Sequence, residues 1–294
     1  MTTVTVPAAP PAAPPLRRRP GRRRFSAART AQYLMLFLIL VFVLIPAYVL
    51  FVTSFKPQAE TSSSQAWLLP THWTLDGWRT AWDALAAPLW RTFALAIPAS
   101  LLSSMLGSMN GFVLSRWRFP YANVVFALML FGMFIPYQAV MIPLRQLTLE
   151  IGLTPGIPTL ILVHTVFGLP ICTLIFRNYY ESIPMDLMEA ARVDGAGMLR
   201  TYASIVLPVS APGFVVTIIW QFTSVWNDFL FAIFLSNTRN GPVTISLQAL
   251  AGGQLTNYSA SMAGALIASL PTLIVYIILG RYFVGGLMAG SVKG

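Results

Sequence analysis

The side chains that could carry out chemistry are few in this sequence and are scattered among long apolar runs. The 294 residues include two histidines, one cysteine and nine acidic residues. No His-Glu-x-x-His pattern or cluster of acids occurs, and His164 has no acidic partner nearby in the sequence, so we expect it to be a packing residue. A Gly-x-x-x-x-Gly-Lys-Ser/Thr phosphate loop is also missing from the sequence. We therefore predict no metal site, no bound cofactor and no nucleotide site of that type on this chain.

One acidic residue, Asp228, falls inside an apolar run. An ionised carboxylate at the centre of a bilayer costs about 2.5 to 3.5 kcal/mol, so such a residue normally faces a cavity or a partner. Together with Trp226 and Asn227, Asp228 could line the path of a polar solute such as a sugar. It could equally form a hydrogen bond between two helices, and both interpretations stay open. Tyr137 and Gln138 are further predicted path residues.

A polar connection at residues 177–211 is expected to present a short surface helix. It contains four of the nine acidic residues. A proline suits the first turn of residues 184–194, acidic residues favour the N-terminal end, and Gly195 ends the helix. Small side chains on this helix would let a partner approach closely. Glu189 offers a charge to that partner, or it forms an i,i+3 pair with Arg192.

The elements that must position these residues follow from the composition. Hydrophobic residues make up 56% of the chain and charged residues only 10%, with a mean hydropathy of +0.69. A soluble domain carries about a quarter charged residues, so that class is excluded. Each of the six apolar runs is long enough to cross a bilayer as a helix; they lie at residues 31–53, 92–114, 122–142, 157–176, 212–235 and 260–283. We therefore predict an all-α integral membrane protein with six transmembrane helices over residues 31–294, after a disordered basic cytoplasmic tail at residues 1–30.

The distribution of basic residues predicts the orientation. With both ends inside the cell, fourteen of the nineteen Lys and Arg residues fall on cytoplasmic segments. Cytoplasmic flanks collect Lys and Arg, so the chain is predicted to be N-in and C-in, a multi-pass protein of the bacterial cytoplasmic membrane. Seven arginines precede the first run; they suit an anionic lipid surface rather than nucleic acid.

Aromatic, proline and glycine patterns add detail to this arrangement. Five tryptophans lie in the first outer loop, and Leu75, Trp78 and Trp82 recur at helical spacing. They predict a helix lying flat on the outer face, or a cap packed over the bundle.

Gly107 and Gly111 permit close helix contact. Five of the six predicted spans contain a proline that tends to kink its helix; these are Pro46, Pro98, Pro136, Pro170 and Pro271.

Short motifs follow one another in a fixed order from Thr53 to the end of the chain. The central one is Glu189-Ala-Ala-x-x-Asp-Gly-Ala196, with Ile205-x-Leu-Pro208 after it. The flanking ones are Thr53-Ser-Phe-Lys-Pro57, Phe119-Pro120, Ile183-Pro184, Trp226-Asn-Asp228 and the terminal segment from Gly286 to Gly294. This set resembles the EAA coupling loop and its flanking landmarks in ABC-importer permeases, in the carbohydrate-uptake (MalG-like) subfamily.

The resemblance implies the transmembrane domain of a type I, binding-protein-dependent importer. Its partners would be a second permease of the same family, two cytoplasmic ATPase subunits that use ATP and Mg, and an extracytoplasmic sugar-binding protein. The coupling residues carried over from the family are Glu189, Ala190, Ala191, Asp194, Gly195, Leu207 and Pro208. The C-terminal residues implied to contact the ATPase are Ser291, Val292, Lys293 and Gly294. The solute stays open between a monosaccharide, an oligosaccharide and glycerol phosphate.

Two other function classes are less well supported by the sequence. An ion-coupled secondary transporter is the alternative, and it would be expected to have intramembrane charge partners and often inverted repeats. Only Asp228 and His164 qualify, and no convincing repeat occurs. A membrane-embedded enzyme is disfavoured because the histidines are separated and the acids are not clustered.

Overall fold

The computed structural model describes residues 27–117, 119–252 and 257–289, and its described side chains extend from residue 29 to residue 280. The described residues form helices joined by turns. In chain order these are α1 (Ala27–Ser54), α2 (Asp76–Arg116), α3 (Ala122–Phe131), α4 (Tyr137–Glu150), α5 (Ile157–Glu181), α6 (Asp186–Val193), α7 (Met198–Thr201), a π-helical turn (Tyr202–Val206), α8 (Leu207–Val209), α9 (Ala211–Trp226), α10 (Leu230–Leu235), α11 (Val243–Ala251) and α12 (Tyr258–Ala289). The all-helical prediction is confirmed.

By its internal contacts the chain divides into two units, residues 1–47 and residues 48–294. The first contains most of α1, whose apolar side chains are exposed from Tyr33 to Leu44. Most of the predicted tail lies outside the described residues. Its last four residues, 27–30, are helical, so the helix begins earlier than expected.

Among the described residues, four helices are long and apolar enough to cross a bilayer without a break, and they are parts or all of α1, α2, α5 and α12. Two bent pairs of helices bring the number to six if each pair is one span. The membrane-protein class is therefore confirmed, while the count of six spans stays a prediction. Of the five prolines, only Pro136 stands at a break, where the chain bends by 100° before α4. The residue before it, Ile135, is extended, as the proline ring requires.

The predicted fifth span also differs from the structure. Residues 212–235 are divided between α9, which ends at Trp226, and α10, which begins at Leu230. Hydrophobicity alone suggested one continuous helix. The break falls at the three residues that include Asn227 and Asp228, whose side chains bond to nearby backbone and so compete with the helix.

Helix α2 joins two elements that were predicted separately. Its 41 residues contain both the outer amphipathic segment and the second span. Gly77, Ala81, Leu85 and Leu89 form a buried face with a spacing of four, whereas Trp82 is exposed. The outer segment is therefore the packed extension of a span, and the interpretation as a separate flat helix is wrong.

The core is built on close contact between α2 and α5. A Cβ atom on Gly107 would lie 2.4 Å from Cβ of Cys172, and one on Gly111 would lie 2.7 Å from Cβ of Phe176. The expected close approach at this glycine pair is confirmed. Cys172 is fully buried, as predicted. Helices α9 and α12 pack against the same central α2.

The connection between α1 and α2 is held by polar contacts. Lys56 is 1% exposed, and its Nζ donates to the carbonyl of Gln65 at 2.6 Å. The Thr71 hydroxyl and amide both donate to Glu60, and these hydrogen bonds lower the pKa of its exposed carboxyl group. The connection is thus an ordered loop at the Asp76 end of α2.

Candidate functional site

The helix predicted in the polar connection is present as α6. It begins two residues after Pro184 and ends at Val193. Its end is a Schellman motif, because the Ala196 amide donates to the Ala191 carbonyl at 2.9 Å and the Gly195 amide donates to the Arg192 carbonyl at 3.0 Å. Gly195 has a φ of +73°, which side-chain-bearing residues rarely adopt. The turn expected at this glycine is confirmed.

Helix α6 has one buried face and one open face. Met188 and Ala191 are buried, while Glu189 and Ala190 are exposed and Val193 is 88% exposed. Ala191 was expected to face a partner, but it packs inward because it lies three residues after Met188 on the same helical face. Ala190 alone of the two small residues is open to an approaching protein.

The charged side chains of α6 do not pair with each other. Within the described part of the chain, the Glu189 side chain has no hydrogen bond or ion pair, so the possible pair with Arg192 is not formed. Arg192 instead lines a small pocket between α6 and the end of α2. The Glu189 carboxylate is left available to another protein.

The segment after α6 returns the chain to the bundle. Asp194 and Pro208 are exposed, whereas Leu207 is half-buried against a core cluster that includes Tyr180 and Tyr202. Residues 202–206 form a π-helical turn, an arrangement that is frequently found at functional sites. The predicted coupling residues therefore lie on both sides of a π-helical joint.

Four buried hydroxyl groups connect this joint to the spans. Ser108 on α2 bonds to the hydroxyls of Tyr180 at 2.5 Å and Tyr202 at 2.8 Å. Ser210, just before α9, bonds to the Tyr180 hydroxyl at 3.0 Å and donates to the Val206 carbonyl. Sequence reasoning missed this cluster because its members are far apart along the chain. It links α2, α5, the π-helical turn and the start of α9.

A cavity of about 500 Å³ lies at the broken part of the bundle. Its wall includes Tyr137, His164, Phe167, Trp220, Gln221, Asn227, Asp228 and Phe231. Three of the four predicted path residues are therefore brought together. The fourth, Gln138, is exposed and is not part of the wall, since it lies one position beyond Tyr137 on the helix.

The expectation for Trp226 is wrong. Its side chain is 2% exposed and its indole N–H donates to the Ala268 carbonyl at 2.9 Å. The ring packs on Phe93 and Phe222 instead of facing the cavity. The helix turns by about 100° per residue, so the residues after Trp226 face a different direction.

Asp228 lines the cavity and also makes local hydrogen bonds, while its role in a solute path stays a prediction. Its carboxylate accepts hydrogen bonds from the backbone amides of Phe231 at 3.4 Å and Ala232 at 3.1 Å, which caps α10. Its carbonyl accepts from the Thr244 hydroxyl at 2.7 Å. The same side chain lines the cavity.

His164 has an acidic neighbour that is distant in the sequence, and its Nε2 is not satisfied by packing alone. Its Nε2 lies 3.5 Å from Oδ2 of Asp228. The two residues are 64 positions apart, so proximity along the chain could not reveal the pair. The available signal was that each is a rare titratable residue within an apolar run. No group of three His, Cys, Asp or Glu side chains that could hold a metal ion is found in the described ranges.

The protein has membrane-spanning helices, an exposed helix α6 and a cavity whose wall includes several polar side chains. These features can be compared with those of known proteins. Residues 99–287 match the family of binding-protein-dependent transport system inner membrane components. The chain belongs to this family. It is therefore a multi-pass membrane permease, and the family assigned by resemblance is confirmed.

Similar proteins cover the permease almost from end to end. It is 38% identical to a probable ABC transporter permease of Pyrococcus horikoshii, over 92% of this chain and all of that protein. It is 33% identical to the xylose/arabinose import permease XacI of Haloferax volcanii, over 88% and 92% of the two chains. It is also 33% identical to the glucose import permease GlcU of Saccharolobus solfataricus, over 89% and 95%.

A solved structure supports the fold of the permease. The match is to a bacterial ABC transporter that imports the acidic polysaccharide alginate, with a TM-score of 0.75 and 21% identity over 88% of this chain and 99% of the other. At that identity the likeness establishes the fold only. The transmembrane fold of an ABC importer is thus confirmed. The predicted ATPase contact at Ser291–Gly294 lies outside the described residues.

Proposed function

We propose that this permease is one transmembrane subunit of an ATP-driven importer that carries a sugar or related carbohydrate. Support for the solute class comes from XacI and GlcU, whose names give xylose, arabinose and glucose as their solutes. A binding protein outside the membrane would deliver the solute, and a second permease would complete the pathway. Two cytoplasmic ATPase subunits would bind ATP and Mg and supply the energy.

The observation that carries this proposal is the exposed, unpaired Glu189 on α6. Val193 is almost fully exposed on the same short helix, although it lies in a polar connection. An exposed charge beside apolar side chains is typical of a surface that another protein covers. We propose that the ATPase covers it and that Glu189 pairs there with a basic side chain.

The remaining coupling residues would support this contact in different ways. Ala190 leaves room for the partner, Asp194 and Gly195 form the turn after the helix, and Leu207 anchors the returning segment in the core. Ala191 would act by packing α6 on its own subunit. Pro208 is exposed beside the π-helical joint. Movement of the ATPase could then reach the spans through this joint.

The solute path is proposed to include Tyr137, Asn227 and Asp228. All three line the 500 Å³ cavity, which is large enough for a sugar. The cavity lies at the bend before α4 and at the break between α9 and α10, and helix breaks expose backbone groups and place polar side chains at membrane depth.

The proposal is tested by purifying the tagged permease from native membranes in mild detergent and identifying the bound chains by mass. We expect a second permease and an ATPase with the wild type. Glu189→Arg should reduce recovery of the ATPase at least tenfold, because it replaces an attraction with a repulsion, and should leave membrane insertion unchanged. Glu150→Arg is the matched control, since Glu150 is exposed at the end of α4 and lies outside the coupling segment.

Reconstitution distinguishes this proposal from ion-coupled transport. Proteoliposomes that contain the complex should take up solute only with MgATP on the ATPase side and with the binding protein present. The His164–Asp228 pair is the observation that favours the ion-coupled alternative. Uptake by the permease alone, driven by a proton gradient without ATP, would reject the proposal.

A further inference from the structure

His164 lines the cavity and has an unsatisfied polar atom in its ring. Its side chain is 6% exposed, and its Nε2 is buried without a hydrogen-bond partner among the described residues. An unsatisfied buried polar group costs about 1 to 3 kcal/mol. Several buried side-chain atoms of the described residues lack a partner, but only His164 among their residues belongs to the cavity wall, where water or a bound solute can satisfy the atom.

Contacts with Gln221 and Phe231 fix the position of His164. The Gln221 side chain on α9 donates to the His164 carbonyl at 2.9 Å. It packs so closely on Gly168 that a Cβ there would lie 2.3 Å from it. The His164 ring also meets the Phe231 ring edge to face, at 5.3 Å between centroids. The imidazole is therefore held against the cavity without a bond to its Nε2.

Asp228 lies next to His164 in the same cavity wall. Its carboxylate is oriented by the amides of α10, and its Oδ2 lies 3.5 Å from Nε2 of His164. That distance exceeds the 2.7–3.2 Å of a protein N–H···O hydrogen bond. One hydroxyl group can serve both residues, since it accepts from an imidazole N–H and donates to a carboxylate oxygen.

The rest of the wall restricts the solute that would supply this hydroxyl. No Lys or Arg is among the residues that line the cavity, all of which lie within the described part of the chain. An anionic solute would meet the Asp228 carboxylate without a compensating cation. The faces of Trp220 and Phe167 suit the apolar C–H faces of a sugar ring.

We propose that His164 and Asp228 form a hydroxyl-binding subsite that selects neutral polyhydroxylated solutes over acidic ones. This inference rests on the proposed function, because it assumes that the permease carries a carbohydrate. It adds a residue that the sequence had assigned to packing. It also places a solute contact in this subunit and disfavours uronates and glycerol phosphate as solutes.

The test uses the purified complex in proteoliposomes with MgATP and the binding protein, and it measures uptake of D-glucose, D-xylose, L-arabinose and D-glucuronate. Monodeoxy derivatives of the best neutral sugar then probe single hydroxyl groups. The wild type should take up a neutral sugar and reject glucuronate. For one deoxy derivative, its KM should be about tenfold higher than for the parent sugar, because one hydrogen bond is lost.

Changes at His164 should act on recognition and not on turnover. His164→Leu should raise KM for the neutral sugar about tenfold with kcat within threefold of wild type, and should abolish discrimination against that deoxy derivative. His164→Gln keeps a donor and should restore most of the discrimination. Asp228→Asn should raise the relative uptake of glucuronate, because it removes the repelling charge.

The control is Thr165→Val, which alters the neighbouring buried polar side chain of α5. Thr165 does not line the cavity, so the Thr165→Val variant should keep the wild-type KM for the neutral sugar and the wild-type discrimination against the deoxy derivative. If His164→Leu lowers only kcat or the yield of complex, or keeps the deoxy discrimination, His164 is a packing residue and the inference fails. If the wild type takes up none of the neutral sugars, the proposed function itself fails.

Discussion

At the scale of single residues, hydrogen bonds between buried side chains tie the helices of the permease together. The hydroxyls of Ser108, Tyr180, Tyr202 and Ser210 form a connected set, and the Trp226 indole finds the Ala268 carbonyl. Inside a membrane, no water is present to form a hydrogen bond with an unpaired group of this type. Several buried side-chain atoms of the described residues have no partner, and His164 is the one residue among them that lines the cavity, which is why its Nε2 supports the proposed solute contact.

The hydroxyl cluster predicts a measurable loss of stability. Tyr180→Phe removes the one hydroxyl that bonds to both serines, and it should lower the free energy of unfolding by about 1 kcal/mol. Ser108 keeps Tyr202 as a partner, and Ser210 keeps the Val206 carbonyl. Thermal unfolding of the purified permease in detergent measures the change.

Tyr179→Phe is the matched control for the hydroxyl cluster. The Tyr179 hydroxyl donates to the Val209 carbonyl at 2.7 Å in an exposed position. Water can replace that bond, so the expected loss is a few tenths of a kcal/mol at most. Equal losses for the two variants would show that the buried cluster contributes no more than a surface hydrogen bond.

At the scale of helices, the bundle combines a tightly packed helix pair with a region where the helices are interrupted. The contact of α2 with α5 is tight and continuous because glycines bring the backbones together. The chain bends sharply at Pro136 and leaves the helical conformation at Asn227–Phe229, between α9 and α10, and the cavity lies there. Rigid packing on one side and broken helices on the other suit a pathway that must open and close.

The glycine contact predicts sensitivity to a single methyl group. Gly107→Ala would place a Cβ against Cys172 and should destabilise the permease by about 1 to 3 kcal/mol through overpacking. Gly280→Ala is the control, because Gly280 is also helical and has nothing within 4 Å of an added Cβ. Thermal unfolding should show a lower Tm for the first variant only. An unchanged Tm for Gly107→Ala would mean that α5 can move away at little cost.

At the scale of the whole molecule, α2 separates the outer loop from the coupling segment. Its 41 residues span about 60 Å at about 1.5 Å per residue. The ordered loop with Lys56 lies at its first end, and Arg116 at its last end donates to the Ile183 carbonyl next to α6. The loop and α6 should therefore lie on opposite sides of the membrane, as the charge asymmetry predicts.

Cysteine labelling tests this topology directly. The single native cysteine, Cys172, is fully buried, so it should give little background. A membrane-impermeant maleimide applied to intact cells or spheroplasts should label Ser64→Cys in the exposed outer loop. Leu199→Cys, which is exposed beside the coupling helix, should react only after permeabilisation. The reverse pattern would overturn the N-in assignment.

The sequence by itself determined the helical membrane class, the family, and the short helix that ends at Gly195. These depend on local properties, namely hydrophobic run length, capping residues and the backbone freedom of glycine, which act within a few neighbouring positions. Only the tertiary structure decided the direction of Trp226, the inward position of Ala191 and the breaks in two spans. It alone brought His164 to Asp228, because that contact arises from packing between α5 and the end of α9. No local pattern encodes a distance between residues 64 positions apart.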